Sequence, residues 1–458
     1  MSSSHRAGAF GAFALAIAVL LIIPSGCTDT DVVYRAPDFT EDVPDGAGGF
    51  LGYSSVQDAR TVCGNCHIGK QSEWEGTAHA DAWASLPSAD AEPFFSVSSM
   101  GNVVTDEHVG WVSTGNERYQ DVQCESCHGP GVAHVTNPDA DDTKPHAPLA
   151  VGSDLSMGCG ECHSGEHQPY LEEWAGSNHG DMNAFPQGRP ECQECHEGRG
   201  ALEAMEVRTT YLEEDDEALM DLTCGVCHDP HSGHHDGQLR LSATAPSLER
   251  NLCMRCHQQR GSPDPASLRG PHAPEGPLLL GQAGWWPPNL DFEPGDILGT
   301  HGTEANPGLC VTCHMGEDAG TGHSFEATPC TDADGNPLPG EECDLSERSF
   351  VSCTDGCHGT EASARSALIT ARTRIDRLVE ELEPLVAEAP EEDLDQFGTT
   401  AWGSQFNLEL ATEFDGSAAH NPFLLEALLI GSIRQMEEDY EMSASPAVSL
   451  DFELEPHP

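Results

Sequence analysis

Hydrophobic and polar positions divide the chain into three stretches. Residues 7–23 read AGAFGAFALAIAVLLII, an unbroken apolar run directly behind Arg6. A basic residue, an apolar segment of this length and then small residues have the form of an export signal, and the run is short for a stable transmembrane span. From residue 58 to 360 Gly and Pro interrupt every short apolar group, which predicts brief helices, extensive loops and little β-structure. Beyond Gly359 the pattern turns helical. Ala364, Leu368, Ala371, Ile375, Leu378 and Leu382 step by 4, 3, 4, 3 and 4 and form one apolar seam, which Pro384 is expected to end or kink. A second helix is expected over 402–412. Asn421 and Pro422 read as N-cap and first residue of a third, running to Met436. The expected organisation is an export signal at 1–26, a polar tether at 27–57, a core at 58–360 and a mainly helical region at 361–458. That last region either caps the core or offers its seam to a second copy.

Composition narrows the function. Among 458 residues, 77 Asp and Glu oppose 20 Lys and Arg, a net charge of -57 that excludes nucleic-acid binding, which needs cations to neutralise phosphate. Only 38% of residues are hydrophobic, too few for a large conventional core, whereas 19 Cys and 23 His are abundant. Cysteine at this density points to disulfides, metal ligands or covalent cofactor attachment.

The motif Cys-x-x-Cys-His decides among these. It occurs at Cys63/Cys66/His67, Cys124/Cys127/His128, Cys159/Cys162/His163, Cys192/Cys195/His196, Cys224/Cys227/His228, Cys253/Cys256/His257 and Cys310/Cys313/His314. Chance would produce about 0.04 occurrences in this composition. Two thiols at this spacing form thioethers with the vinyl groups of one haem, and the following His supplies an axial nitrogen to its iron. Zinc sites pair two Cys knuckles and do not require His directly afterwards. An eighth motif, Cys353/Cys357/His358, has one extra residue between its cysteines; it binds an eighth haem c, or Cys353 joins a disulfide instead. Eight haems use sixteen cysteines and leave Cys27, Cys330 and Cys343. Cys330 and Cys343 flank a Gly/Pro/Asp-rich loop and are a candidate disulfide in an oxidising compartment. Within it Asp332-Ala-Asp334-Gly-Asn336 starts like a calcium loop but lacks the downstream Glu, so a plain turn is expected.

Each haem iron has a second axial position. Eight further histidines are candidates by context: His79 and His179 in Trp-x4-His segments, His134 and His231 shortly after motifs, His272 between prolines, His301 ahead of the seventh motif, His323 in Gly-His-Ser-Phe, and His420 before Asn421-Pro422. His108, His146, His167, His234 and His235 are reserves. The alternative for any one of them is an exposed polar histidine.

The segments CxxCH…W-x4-H, C-E-S-C-H-G-P-G-x-A-H and C-V-T-C-H-M…G-H-S-F resemble those of the cytochrome c-552/4 family, relatives of the octahaem hydroxylamine oxidoreductases and pentahaem nitrite reductases. Over residues 67–358 the resemblance implies a mostly helical, haem-packed fold. Gly26-Cys27 is similar to a bacterial lipobox, with Cys27 the lipidated residue, although Pro24 departs from the usual aliphatic; the alternative is ordinary cleavage. Thr28 lacks the Asp that favours inner-membrane retention, so for a periplasmic or cell-surface lipoprotein the outer membrane is preferred to the inner.

Three functions compete: electron transfer through haems with two His ligands each, a reductase or oxidase of small nitrogen or sulfur compounds with one open haem, and a subunit of a conductive filament. The nitrite reductases' Cys-x-x-Cys-Lys motif does not occur, since neither Lys70 nor Lys144 follows a Cys pair. After the last motif stands only Tyr440 as a candidate for the tyrosine that the hydroxylamine oxidoreductases cross-link to haem, and a packing role suits it better. Electron transfer is therefore favoured, no catalytic residue is assigned, and the expected partners are redox proteins, basic ones among them, or quinol-linked donors.

Overall fold

The computed structural model describes residues 49–85, 115–149, 158–165, 168–207, 210–316, 322–338, 340–414 and 416–442. All belong to one unit, Val43–Pro458. The apolar run at 7–23, Cys27, His108 and His167 lie outside the described residues. No described helix is long and apolar enough to cross a membrane.

The fold is mainly α with many loops. Among the described residues the only sheets are two antiparallel pairs, Tyr53–Ser55 with Arg60–Thr61 and Cys330–Thr331 with Pro337–Leu338. The first corrects the end of the expected tether, because residues 50–53 are buried in the core. Phe50, Leu51 and Tyr53 are buried beside a fully buried Tyr119. The carboxylate of Glu125, inside the second motif, accepts hydrogen bonds from the backbone of Leu51 (2.9 Å), Gly52 (2.8 Å) and Gly131 (2.7 Å). Those N–H groups compensate a buried charge that would otherwise be costly. Gly52 has φ +66°, and a Cβ there would stand 2.5 Å from the Arg118 carbonyl oxygen, so glycine is required.

Between residues 58 and 360 helices are short, as the Gly and Pro content dictates, and apolar clusters are small. Met254, Leu279, Leu280 and Leu309 form one, and Ala201, Leu202 and Val226 another. The large side-chain core lies at the C-terminal end. It is built by α1 (Glu361–Glu388), α2 (Thr400–Thr412) and α3 (Pro422–Tyr440), packed with Leu278, Ala283 and Ile297. The C-terminal helices thus share their core with the motif-bearing region. Thr360, Thr399 and Asn421 cap the three helices by accepting from Ser363, Trp402 and Leu424 N–H groups. Of the two outcomes expected at Pro384, an end does not occur, since α1 runs on to Glu388. Leu382, Leu385 and Val386 around it are buried, and burial of about 2 kcal/mol per such side chain offsets the lost hydrogen bond. Gly403 of α2 lets the Trp285 ring lie on the helix, where a Cβ would be 2.1 Å from a ring atom. The Asn407 side chain then clasps both backbone groups of Trp285, at 2.8 and 2.7 Å.

The loop closed by Cys330 and Cys343 contains a disulfide between them. Its Asp332 side chain accepts from the backbone of Asp334 and Asn336, a turn stabilised by its own side chain.

Candidate functional site: paired histidines around cysteine motifs

The seven shorter motifs each fold into a tight helical turn. His67, His163, His196, His228 and His257 donate their backbone N–H to the carbonyl of the motif's first Cys at 2.9–3.0 Å. Cys124–His128 and Cys310–His314 are single α-helical segments. Positions i, i+3 and i+4 share one helical face, so a turn of this kind presents both sulfurs and the imidazole on the same side. The eighth motif solves the spacing differently. Thr354–His358 forms a π-helical turn, whose wider loop absorbs the extra residue.

Polypeptide covers the attachment cysteines to different extents. Cys66, Cys159, Cys162 and Cys357 are exposed, and the other twelve are half-buried. In the third motif Cys159 and Cys162 are both exposed while Gly160 between them is buried. The first motif repeats this arrangement, with Gly64 buried and Cys66 exposed. The reason is directional. Polypeptide packs on the glycine side of the turn, so the thiols face away from it, as sulfurs that bond a porphyrin edge must.

Every motif histidine faces one candidate histidine, and none is used twice. Ring centroids are separated by 6.2 Å for His67 and His134, 6.0 Å for His128 and His231, and 6.2 Å for His163 and His79. For His196 and His272 the separation is 6.0 Å, for His228 and His323 6.1 Å, and for His257 and His179 6.3 Å. His314 and His420 stand 6.3 Å apart, and His358 and His301 6.1 Å. Interplanar angles range from 9° to 82°, so ring stacking does not set this spacing. Two iron–nitrogen bonds of ~2.0 Å plus two centroid-to-nitrogen radii of ~1.1 Å give ~6.2 Å. Among the described residues no group of three or more His, Cys, Asp or Glu side chains could hold a metal ion. A bare zinc ion would lack its usual four ligands at these pairs, whereas a porphyrin brings four nitrogens of its own. The residues fit haem. His146, His234 and His235 stand outside the eight pairs.

An internal repeat positions several of these rings. Trp74 Nε1 donates to the Val122 carbonyl at 3.0 Å and Trp174 Nε1 to the Leu222 carbonyl at 2.9 Å. Thr77 and Ser177 hydroxyls return to their own tryptophan carbonyls at 2.8 and 2.7 Å. The carbonyls of His79 and His179 each accept from Val122 and Leu222 N–H at 3.1 Å. Matched residues are offset by 100, a signal present in the sequence as Trp74/Trp174, His79/His179, Asp121/Asp221 and Cys124/Cys224. Gaps between motif histidines conceal it because the second copy carries the inserted Cys192 motif. The pairs cross copy boundaries: His79 of the first copy faces His163 of the second, and His179 of the second faces His257 beyond it.

Nδ1 contacts leave Nε2 free to coordinate. Nδ1 of His128, His228, His301 and His314 meets the carbonyl oxygens of Pro145, Gly237, Ala419 and Phe325 at 2.6–2.8 Å. A carbonyl can only accept, so Nδ1 carries the proton. Burial pushes His79, His179, His323 and His420 down to about 4, which keeps these imidazoles neutral at pH 7, the form that binds metals. His420 is fixed by its neighbour, since the Asn421 amide donates to the Leu278 and Ile297 carbonyls at 3.1 and 2.9 Å.

Cysteines of different motifs also meet. Cys63 lies close to Cys124, Cys159 to Cys224, Cys195 to Cys256, and Cys253 to Cys310. Cys127 lies near Cys159, Cys227 near Cys253 and Cys256, and Cys313 near Cys353 and Cys357. These proximities connect all eight motifs, with the fourth branching from the sixth. Sequence reading missed this order and the pairing of the rings, which arise from segments far apart in the chain. Tyr440, half-buried, donates to Asp393 at 2.9 Å, a packing contact.

Residues 62–129 match the model of the family described as cytochrome c554 and c-prime. The fold is similar to the crystal structure of the outer cell wall cytochrome OcwA, at 17% identity and a TM-score of 0.53, with 85% of this chain and 100% of that chain covered. No curated protein matches the chain. With its repeated haem-attachment motifs, a matching cytochrome segment and this fold, the chain is a multihaem c-type cytochrome.

Proposed function

We propose that the chain binds eight haems c, each held by two thioethers and two histidines, and carries electrons within the cell envelope. The observation that supports this is the one-to-one matching of eight motif histidines with eight others at 6.0–6.3 Å. Haem iron supplies one-electron redox chemistry. The polypeptide's part is to fix both axial nitrogens, hold successive attachment sites in contact and set each potential. Two imidazoles on every iron leave no position for a substrate, which favours electron transfer over reduction of nitrogen or sulfur compounds.

Export signal, Gly26-Cys27 and the outer-cell-wall designation of the similar cytochrome support a lipid-anchored envelope location. A net charge of -57 favours basic redox partners. The test is paramagnetic resonance on the oxidised holoprotein, with haem content from the pyridine haemochrome and the mass of the N-terminal peptide. Eight low-spin haems and a lipidated Cys27 are expected. A stoichiometric high-spin haem that binds nitrite or hydroxylamine overturns the electron-transfer reading in favour of the enzyme.

A further inference from the structure

The second contacts of the paired histidines are not uniform. Four are the neutral carbonyls described above. His257 differs, since its Nδ1 meets the Glu275 carboxylate at 3.3 Å. Glu275 opens the short helix Glu275–Leu279, whose Leu278 is fully buried, so the carboxylate is carried on a packed element. Among the described residues no Lys or Arg pairs with it.

Two other carboxylates approach paired rings and are weaker candidates. Asp229 Oδ1 lies 3.3 Å from His231 Nδ1, but Arg240 Nη1 stands 3.8 Å from the other oxygen and offsets the charge. Glu173 Oε2 is 4.0 Å from His323 Nδ1, beyond hydrogen bonding, and already accepts the His323 backbone N–H at 2.8 Å.

We propose that Glu275 is a potential-setting residue, whose carboxylate on His257 makes the haem held by Cys253, Cys256 and His257 the hardest of the eight to reduce. This rests on the haem-ligand reading above. An imidazole that donates Nδ1–H to an anion gains electron density at Nε2 and stabilises ferric iron, and a carbonyl acceptor does so less. The position makes the effect consequential. Cys256 meets Cys195 of the fourth motif, Cys253 meets Cys310 of the seventh, and Cys227 of the fifth lies close by. The His257 site is therefore the junction through which the connected series passes from the N-terminal motifs to the seventh and eighth. Reduction there adds one electron from a neighbouring haem and makes or breaks no bond. A low potential at the junction keeps it empty until both flanking groups are filled, so that electrons cross it without resting there.

The experiment is a spectroelectrochemical and resonance-monitored redox titration of the full holoprotein and its Glu275→Gln, Glu275→Asp and Asp229→Asn variants. In Glu275→Gln, the lowest-potential component is expected to move up by about 59 mV, a tenfold change in its reduced-to-oxidised ratio at fixed potential. One low-spin signal shifts with it, while the other components stay. Glu275→Asp is expected to restore most of the low potential, and Asp229→Asn to move its haem less. A Glu275→Gln protein with eight low-spin haems and an unmoved lowest component overturns the role of Glu275. A wild-type protein with fewer than eight haems, or with a high-spin haem, overturns the ligand reading instead.

Discussion

His314 and His420 face each other with ring centroids 6.3 Å apart and planes within 9° of parallel, although 105 residues of chain lie between them. One belongs to a motif turn and the other precedes α3. Replacing His420 with Ala should leave haem content unchanged and convert one haem to high spin, with added imidazole restoring the low-spin signal. A spectrum identical to wild type would remove His420 from the ligand set.

Trp74 and Trp174 hold equivalent positions in the two copies of the repeat. Each donates its indole N–H to a carbonyl 48 residues downstream. Trp74→Phe and Trp174→Phe should each cost about 1 kcal/mol in denaturant unfolding, the net worth of one hydrogen bond. A much larger loss in only one of them would deny their equivalence.

Glu426 of α3 is 2% exposed and pairs with Arg374 of α1. Its Oε1 has no hydrogen-bond partner. Burial holds its carboxyl above the ordinary range, with Arg374 pulling the other way. The folded state therefore takes up this proton at higher pH than the unfolded chain, and the group's contribution improves as pH falls toward the unfolded value. Arg374→Ala should cost about 2 kcal/mol at pH 7 by leaving the carboxylate buried without this partner, and the loss should shrink on acidification. Thermal melts of both proteins across pH 7 to 4 test this, and a penalty that grows toward pH 4 contradicts it.

The buried Glu125 carboxylate satisfies three backbone N–H groups. Glu125→Ala strands them, at roughly 1–3 kcal/mol each before relaxation, and should release residues 49–53 from the core. Proteolysis N-terminal to Tyr53 would rise, with the first haem still attached through Cys63 and Cys66. Unchanged protection would show that Phe50 and Leu51 hold the segment without it.

Reduction or double Ser replacement of Cys330 and Cys343, 13 residues apart, should lower stability by up to about 3 kcal/mol through loop entropy. Haem content should stay that of the wild type. Loss of a haem would mean that one of these cysteines serves attachment.

The attachment motifs, their proximal histidines, the mainly α class and the C-terminal helices are all determined by local sequence. Their signals repeat within a few residues: sulfur spacing set by one helical turn, an apolar seam, and caps at Thr360, Thr399 and Asn421. Tertiary structure decided what local spacing does not encode. It matched His79 with His163 and His301 with His358, carried α1 past Pro384, drew residues 50–53 into the core, and placed Glu275 on His257. In each case the deciding contact joins segments that meet only after folding. An imidazole's partner depends on where its backbone is held, and the buried contacts around it, such as Trp74 on Val122 and Asn421 on Leu278, fix that position.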